Sequence, residues 1–115
     1  MFQGKVIHGD GIGKGLGYPT ANLDTPIEEI NLSSGVYAAW AFVQDQKQPA
    51  ALVISSLISK VEVYLLEYTG PSLYETTLQV EPQGKVSEIE SLQGEALQEK
   101  IARDIVAVRA LLSKK

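Results

Sequence analysis

The chain has 115 residues, 44% of them hydrophobic and 21% charged, with a formal net charge of −4. That length suits one domain over residues 1–115, and the acidic balance argues against a general nucleic-acid binder. Without cysteine there are no disulfides or thiolate zinc centres, so the cytoplasm is the expected compartment; no apolar run is long enough to span a membrane, and "MFQGKVIHGDG" is not a signal peptide. The single histidine, His8, excludes a multi-histidine metal site, so any metal would be held by oxygen, as magnesium or calcium are.

A short first strand is predicted over Gly4–Ile7, followed by "HGDGIGKGLGYPTANL" from His8 to Leu23. Glycines at positions 9, 11, 13, 15 and 17 let other atoms approach the backbone amides closely. Successive exposed amides form an anion-binding concavity, to which Lys14 adds a positive charge. A dinucleotide-type loop would have to open a helix directly, and Pro19 holds Tyr18 away from helical geometry. A P-loop is excluded because the Gly-Lys-Ser/Thr ending is missing. In an extended "PTANL", Thr20 and Asn22 face the same way and Ala21 faces opposite. Their neutral oxygens are of the kind magnesium accepts beside nucleotide phosphates. The alternative is a hairpin connection in which both side chains merely satisfy backbone groups.

The next strand is "GVYAAWAFV", Gly35–Val43, with Val36, Ala38, Trp40 and Phe42 on one face. "PAALVISSLI" (Pro49–Ile58) reads as a strand buried on both sides at its start. "KVEVYLLEY" (Lys60–Tyr68) places Val61, Val63 and Leu65 on one face and Glu62, Tyr64 and Leu66 on the other. A carboxylate on that apolar face calls for explanation, unless the face is solvated and Glu62 is a surface charge. "LYETTLQVE" (Leu73–Glu81) alternates with Tyr74, Thr76, Leu78 and Val80 inward. "QDQKQP", "YTGPS" and "EPQGK" read as turns between strands. From Gly94 the period changes, and Leu97, Ile101, Ile105, Val108 and Leu111 mark an amphipathic helix with Ser91 as its expected N-cap. Glu95 and Glu99 near its start, and Lys114 and Lys115 at its end, suit the helix dipole. Tyr37 and Trp40 read as core aromatics, and Arg103 and Arg109 as a solvated helix face. Strands in succession followed by one helix point to a small closed or nearly closed antiparallel barrel with the helix on its outside.

The glycine-rich segment running into Pro-Thr-Ala-Asn resembles the signature of riboflavin kinase. The similarity continues through "GVYA", "VEVYLLEY", "LYETTLQV" and "SLQGEALQEKIARDIVAVRALL", in order, over nearly the whole chain. The resemblance implies a mainly β fold, a six-stranded antiparallel Greek-key barrel with one C-terminal α-helix. It implies transfer of the γ-phosphoryl of ATP to the 5′-hydroxyl of riboflavin, giving FMN and ADP. Thr20 and Asn22 would hold magnesium and the nucleotide phosphates. Gly9, Gly11, Gly13, Lys14, Gly15 and Gly17 would form the flap over ATP, and Glu62 would be the general base. The implied partners are these small molecules, with neither nucleic acid nor membrane among them. In many bacteria such a domain is joined to an adenylyltransferase that converts FMN to FAD; nothing precedes the first strand here, so FMN is the expected end product.

Two departures from the family pattern fall on the flavin side. "SSLIS" replaces a longer segment containing a Gly-Thr-x-Pro-Thr-like stretch. "GKVSEIESL" (Gly84–Leu92) stands where an arginine-rich stretch and an aromatic are usual, with Lys85 in place of the first arginine. These departures keep open a second reading, a catalytically impaired flavin- or nucleotide-binding module of the same fold.

Overall fold

The computed structural model describes residues 1–7 and 18–114. Among them, six strands close into a barrel: β1 (Phe2–Ile7), β2 (Thr20–Leu23), β3 (Gly35–Val43), β4 (Gln46–Ser55), β5 (Lys60–Leu65) and β6 (Thr77–Ser87). All neighbours are antiparallel, in the order β1-β2-β5-β4-β3-β6, and β6 pairs back onto β1. The meander β3-β4-β5 with β6 returning beside β3 is a Greek key. Helix α2 (Gly94–Leu112) packs on the outside of the barrel against β3, β4 and β6. The expected barrel and helix are therefore present. Among the described residues no helix is long and apolar enough to cross a membrane.

This arrangement gives β3, β4 and β5 two buried faces. Inside the barrel lie Tyr37, Ala39, Ala41, Leu52, Val63 and Val80, among others. On the outer face, Ala38, Ala51, Tyr64 and Leu66 pack beneath Ile105, Val108 and Leu112 of α2. The near-continuous apolar run of β3 follows from this double burial, and its alanines keep bulk low where the barrel is narrow. The two faces expected for the fifth strand are both present: Val61, Val63 and Leu65 point inward, Tyr64 and Leu66 toward the helix.

Several boundaries differ from expectation. Of "QDQKQP" only Gln44 and Asp45 form the turn, with φ of 50° and 68°, and Val43 pairs directly with Gln46. Two left-handed residues match the twist of the flanking strands, so β4 starts three residues before Pro49. At its other end β4 stops at Ser55, because the Ser56 amide donates to Ser34 Oγ at 2.9 Å and the chain turns. Leu57 and Ile58, expected in the strand, are 94% and 60% exposed.

The last strand is displaced toward the C-terminus. Leu73–Thr76 is a turn, closed by the Thr76 amide donating to the Leu73 carbonyl at 2.9 Å. Leu78 and Val80 face the core as expected, whereas Tyr74 and Thr76 are exposed. "EPQGK" is strand rather than turn. Consecutive Ala38 and Ala39 pair with Gly84 and Pro82, leaving Gln83 as the extra residue of a bulge, and Val86 is extra in a second one. A bulge tolerates the missing N–H of Pro82. Gly84 serves the packing: a Cβ there would meet Leu111 Cδ1 at 3.0 Å.

The helix does not begin on Ser91. Its N-cap is Gln93, with no side-chain cap bond, and the chain enters through Gly94 at φ 60°. Glycine adopts that conformation freely, so it replaces the hydroxyl cap as the device that turns the chain. A four-residue helix not anticipated from the sequence, α1 (Ile27–Ile30), brings Ile27 and Ile30 against the interior cluster.

Candidate active site

The Pro-Thr-Ala-Asn segment enters the barrel as β2, paired with β5. Thr20 stands opposite Tyr64, Ala21 opposite Val63 and Asn22 opposite Glu62. Directly opposed residues of antiparallel strands share a face. Ala21 and Val63 therefore meet inside the barrel, and Thr20, Asn22, Glu62 and Tyr64 form a patch on its outer face. The expectation that Thr20 and Asn22 point the same way, with Ala21 opposite, holds.

Two cavities flank this patch. The first, of about 340 Å³, is lined by Thr20 and Asn22 together with Ile7, Tyr68, Pro71 and Tyr74. It lies where the chain leaves β1 at Ile7 and re-enters through Tyr18 and Pro19. Gly9, Gly11, Gly13, Lys14, Gly15 and Gly17 lie outside the described residues. The second cavity, of about 200 Å³, lies between the outer face of β4 and β5 and helix α2. It is lined by Glu62 and Tyr64, by Ile58 and Ile89, and by Lys100 and Asp104. Asn22 thus borders one cavity and its cross-strand partner Glu62 the other.

Glu62 is 9% exposed, so it is not the solvated surface charge that its position alone permitted. Helix α2 faces it across the second cavity. The same helix supplies two groups that sequence reasoning passed over. Lys100 Nζ is 2.6 Å from Asp104 Oδ2 and 3.0 Å from Ser87 Oγ, and both charged residues are buried. A signal existed: Asp104 falls between Ile101 and Ile105 on the apolar stripe, and Lys100 precedes it by one turn. Tyr68 and Pro71 of the first cavity lay inside the stretch read only as a strand end and turn.

Lys85 does not line either cavity; its Nζ is 2.6 Å from Glu88 Oε1 and 3.5 Å from Ser33 Oγ. The cation bordering the Glu62 cavity is Lys100. Tyr37 belongs to the interior core, and Trp40 packs beside the outer cluster with Lys47 Nζ 4.3 Å from its ring centre. Arg109 is more than a solvated charge: it donates to Glu67 at 3.0 Å and to the Leu66 carbonyl at 3.3 Å, tying α2 to the end of β5.

As metal ligands, Thr20 and Asn22 offer neutral oxygens only. Among the described residues no group of three or more His, Cys, Asp or Glu could hold a metal. Such a donor set suits a hard cation that arrives with phosphate oxygens and water completing its shell, which is how magnesium is commonly bound.

The family model described as "Flavokinase: Riboflavin kinase" matches residues 1–112. The chain belongs to the riboflavin kinase family. It is 32% identical over 118 residues to the bifunctional riboflavin kinase/FMN adenylyltransferase of Pseudomonas fluorescens, a match covering 96% of this chain and 37% of that protein. A stretch of 37 residues is 54% identical to the protein of the same name from Buchnera aphidicola, covering 32% of this chain and 12% of that one. The chain thus spans little more than a third of the first of these relatives. Among solved structures, riboflavin kinase from Trypanosoma brucei superposes with a TM-score of 0.73 at 25% identity, over 97% of this chain and 76% of its own. A structure described as a macrolide-efflux protein from Streptococcus pneumoniae gives a TM-score of 0.80 at 23% identity, over 93% of this chain and 37% of its own. At that identity the second likeness concerns the fold alone.

Proposed function

We propose that this member of the riboflavin kinase family transfers the γ-phosphoryl group of ATP to the 5′-hydroxyl of riboflavin, releasing FMN and ADP. The observation that carries the reading is the pairing of Asn22 with Glu62, which puts a neutral oxygen donor and a buried carboxylate at the junction of two cavities. Phosphoryl transfer asks mainly for positioning and charge neutralisation, with one group to take the acceptor's proton. In this reading the larger cavity receives the nucleotide phosphates and the smaller receives the acceptor. Thr20 and Asn22 hold magnesium, which when bound neutralises phosphate oxygens. Gly9, Gly11, Gly13, Lys14, Gly15 and Gly17, which lie between β1 and β2 in the sequence, supply the remaining phosphate contacts. Glu62 accepts the 5′-hydroxyl proton as the new oxygen–phosphorus bond forms and the bond to ADP breaks. Only the kinase part of the relatives' bifunctional name is proposed for this chain.

A second reading has its own observation. The short Ser56–Ser59 turn, whose Ile58 borders the acceptor cavity, accompanies a cavity of only about 200 Å³, which favours a binding module without turnover. One assay separates the two. Protein is incubated with riboflavin, ATP and magnesium, and FMN is sought by chromatography, with Glu62→Gln as control. FMN formed by the wild type and lost in the variant is the expected result. Absence of FMN from a folded protein that still binds riboflavin or ATP would overturn the kinase in favour of the module.

A further inference from the structure

Helix α2 buries a cation that packing alone does not require. Lys100 is 6% exposed and sits between the barrel and a helix face otherwise built from Ile101, Ile105 and Val108. Removing an ammonium and a carboxylate from water is costly, and apolar pairs of similar volume often stabilise as well or better. The Lys100–Asp104 pair is therefore a poor device for holding the helix down. It is a good device for holding an ammonium still. Asp104 at 2.6 Å and Ser87 at 3.0 Å take two of the three N–H donors. Among the described residues no third acceptor lies within hydrogen-bonding distance.

The pair borders the same cavity as Glu62. Ile58, Ile89 and Ile101 supply apolar walls there; the charged groups on its border are the carboxylates of Glu62, Glu90 and Asp104 and one ammonium, that of Lys100. A groove of that composition suits a flat, largely apolar ring with hydrogen-bond acceptors on one edge. An ammonium can only donate, so it selects carbonyl oxygens and bare ring nitrogens and rejects N–H groups. The shape of the demand matches a flavin ring with its hydroxylated chain directed to Glu62.

We propose that Lys100, oriented by Asp104 and Ser87, anchors the acceptor substrate by donating a hydrogen bond to the acceptor edge of its ring. The inference rests on the kinase reading above and adds to it a specificity-determining residue on α2. Lys100 takes no part in the phosphoryl transfer itself.

The test compares Lys100→Met, Lys100→Arg and wild type for riboflavin binding, by quenching of flavin fluorescence, and for ATP binding by calorimetry. Lys100→Met should raise the riboflavin Kd about ten- to a hundredfold, as expected for a lost bond to a charged donor, and leave the ATP Kd within twofold. Lys100→Arg keeps the charge and should recover most of the loss. With turnover, KM for riboflavin should rise in the Met variant more than kcat falls. Should Lys100→Met fail to fold, the wild-type protein still decides: riboflavin should shift the side-chain ¹⁵N resonance of Lys100, and ATP alone should not. An unchanged riboflavin Kd in folded Lys100→Met, or an unmoved resonance at saturating riboflavin, overturns the assignment of Lys100 while leaving the kinase reading intact. Wild-type protein that neither binds riboflavin nor makes FMN overturns both.

Discussion

Asn22 and Glu62 face each other across the β2–β5 ladder, and each borders a different cavity. Cross-strand partners have Cβ atoms about 5 Å apart, so the proposed placement of the donor phosphate beside Asn22 and the acceptor hydroxyl beside Glu62 brings the two within reacting reach. Because the relationship is made by backbone register, conservative changes to either side chain should alter chemistry without moving the other.

Glu62→Gln keeps size and shape while removing the carboxylate proposed as the base. It should lower kcat by about two to four orders of magnitude and leave riboflavin affinity within a few-fold. Stopped-time FMN assays beside equilibrium flavin binding check this. A variant with equal losses in binding and turnover would mark Glu62 as a binding group.

Thr20 Oγ1 has a long contact of 3.4 Å to the Tyr18 carbonyl, so its loss should change fold stability by less than about 0.5 kcal/mol. Thr20→Ala should nevertheless abolish the magnesium-dependent component of ATP binding. Calorimetric titration of ATP with magnesium and with EDTA reads that difference directly.

Gly4 is buried in β1, where a Cβ would fall inside the contact distance of Thr25 Oγ1 and 3.1 Å from Leu23 Cβ. Thr25 Oγ1 donates to the Gln3 carbonyl at 2.7 Å and would have to abandon that bond. Gly4→Ala should cost about 1–3 kcal/mol, measured as a lower urea midpoint at unchanged m-value.

Two adjacent residues of α2 should differ in how much they contribute to stability. Val108 is fully buried between helix and barrel, and Val108→Ala should destabilise by about 2 kcal/mol. Arg109 pairs with Glu67 at 3.0 Å, but both side chains are substantially exposed, so Arg109→Ala should cost no more than about 1 kcal/mol. Parallel thermal and urea melts of the two variants check the order.

Local alternation was a faithful guide where a strand is regular and bounded by clear turns. "GVYAAWAFV" was legible to the residue, and the opposition of Thr20 and Asn22 to Ala21 followed from the two-residue period. Proline and glycine misled in "EPQGK", because within a barrel they mark bulges as readily as turns, and the difference lies in the partner strand. Ser91 misled for a related reason: a capping residue type is common, and which residue caps depends on where the chain meets the barrel wall.

The sequence by itself determined the fold class and the family, and it named the residues proposed to carry the chemistry: alternation and motif spacing are properties of the chain read locally. Only the tertiary structure decided that Asn22 stands opposite Glu62, because register is set by closure of the whole barrel. It also decided that Glu62 is buried and shares its cavity with Lys100 and Asp104, since a strand's pattern names its two faces but not what covers them. Helix α2 faces Glu62 across that cavity, and its docking is fixed by shape, with Gly84 leaving the room that Leu111 fills.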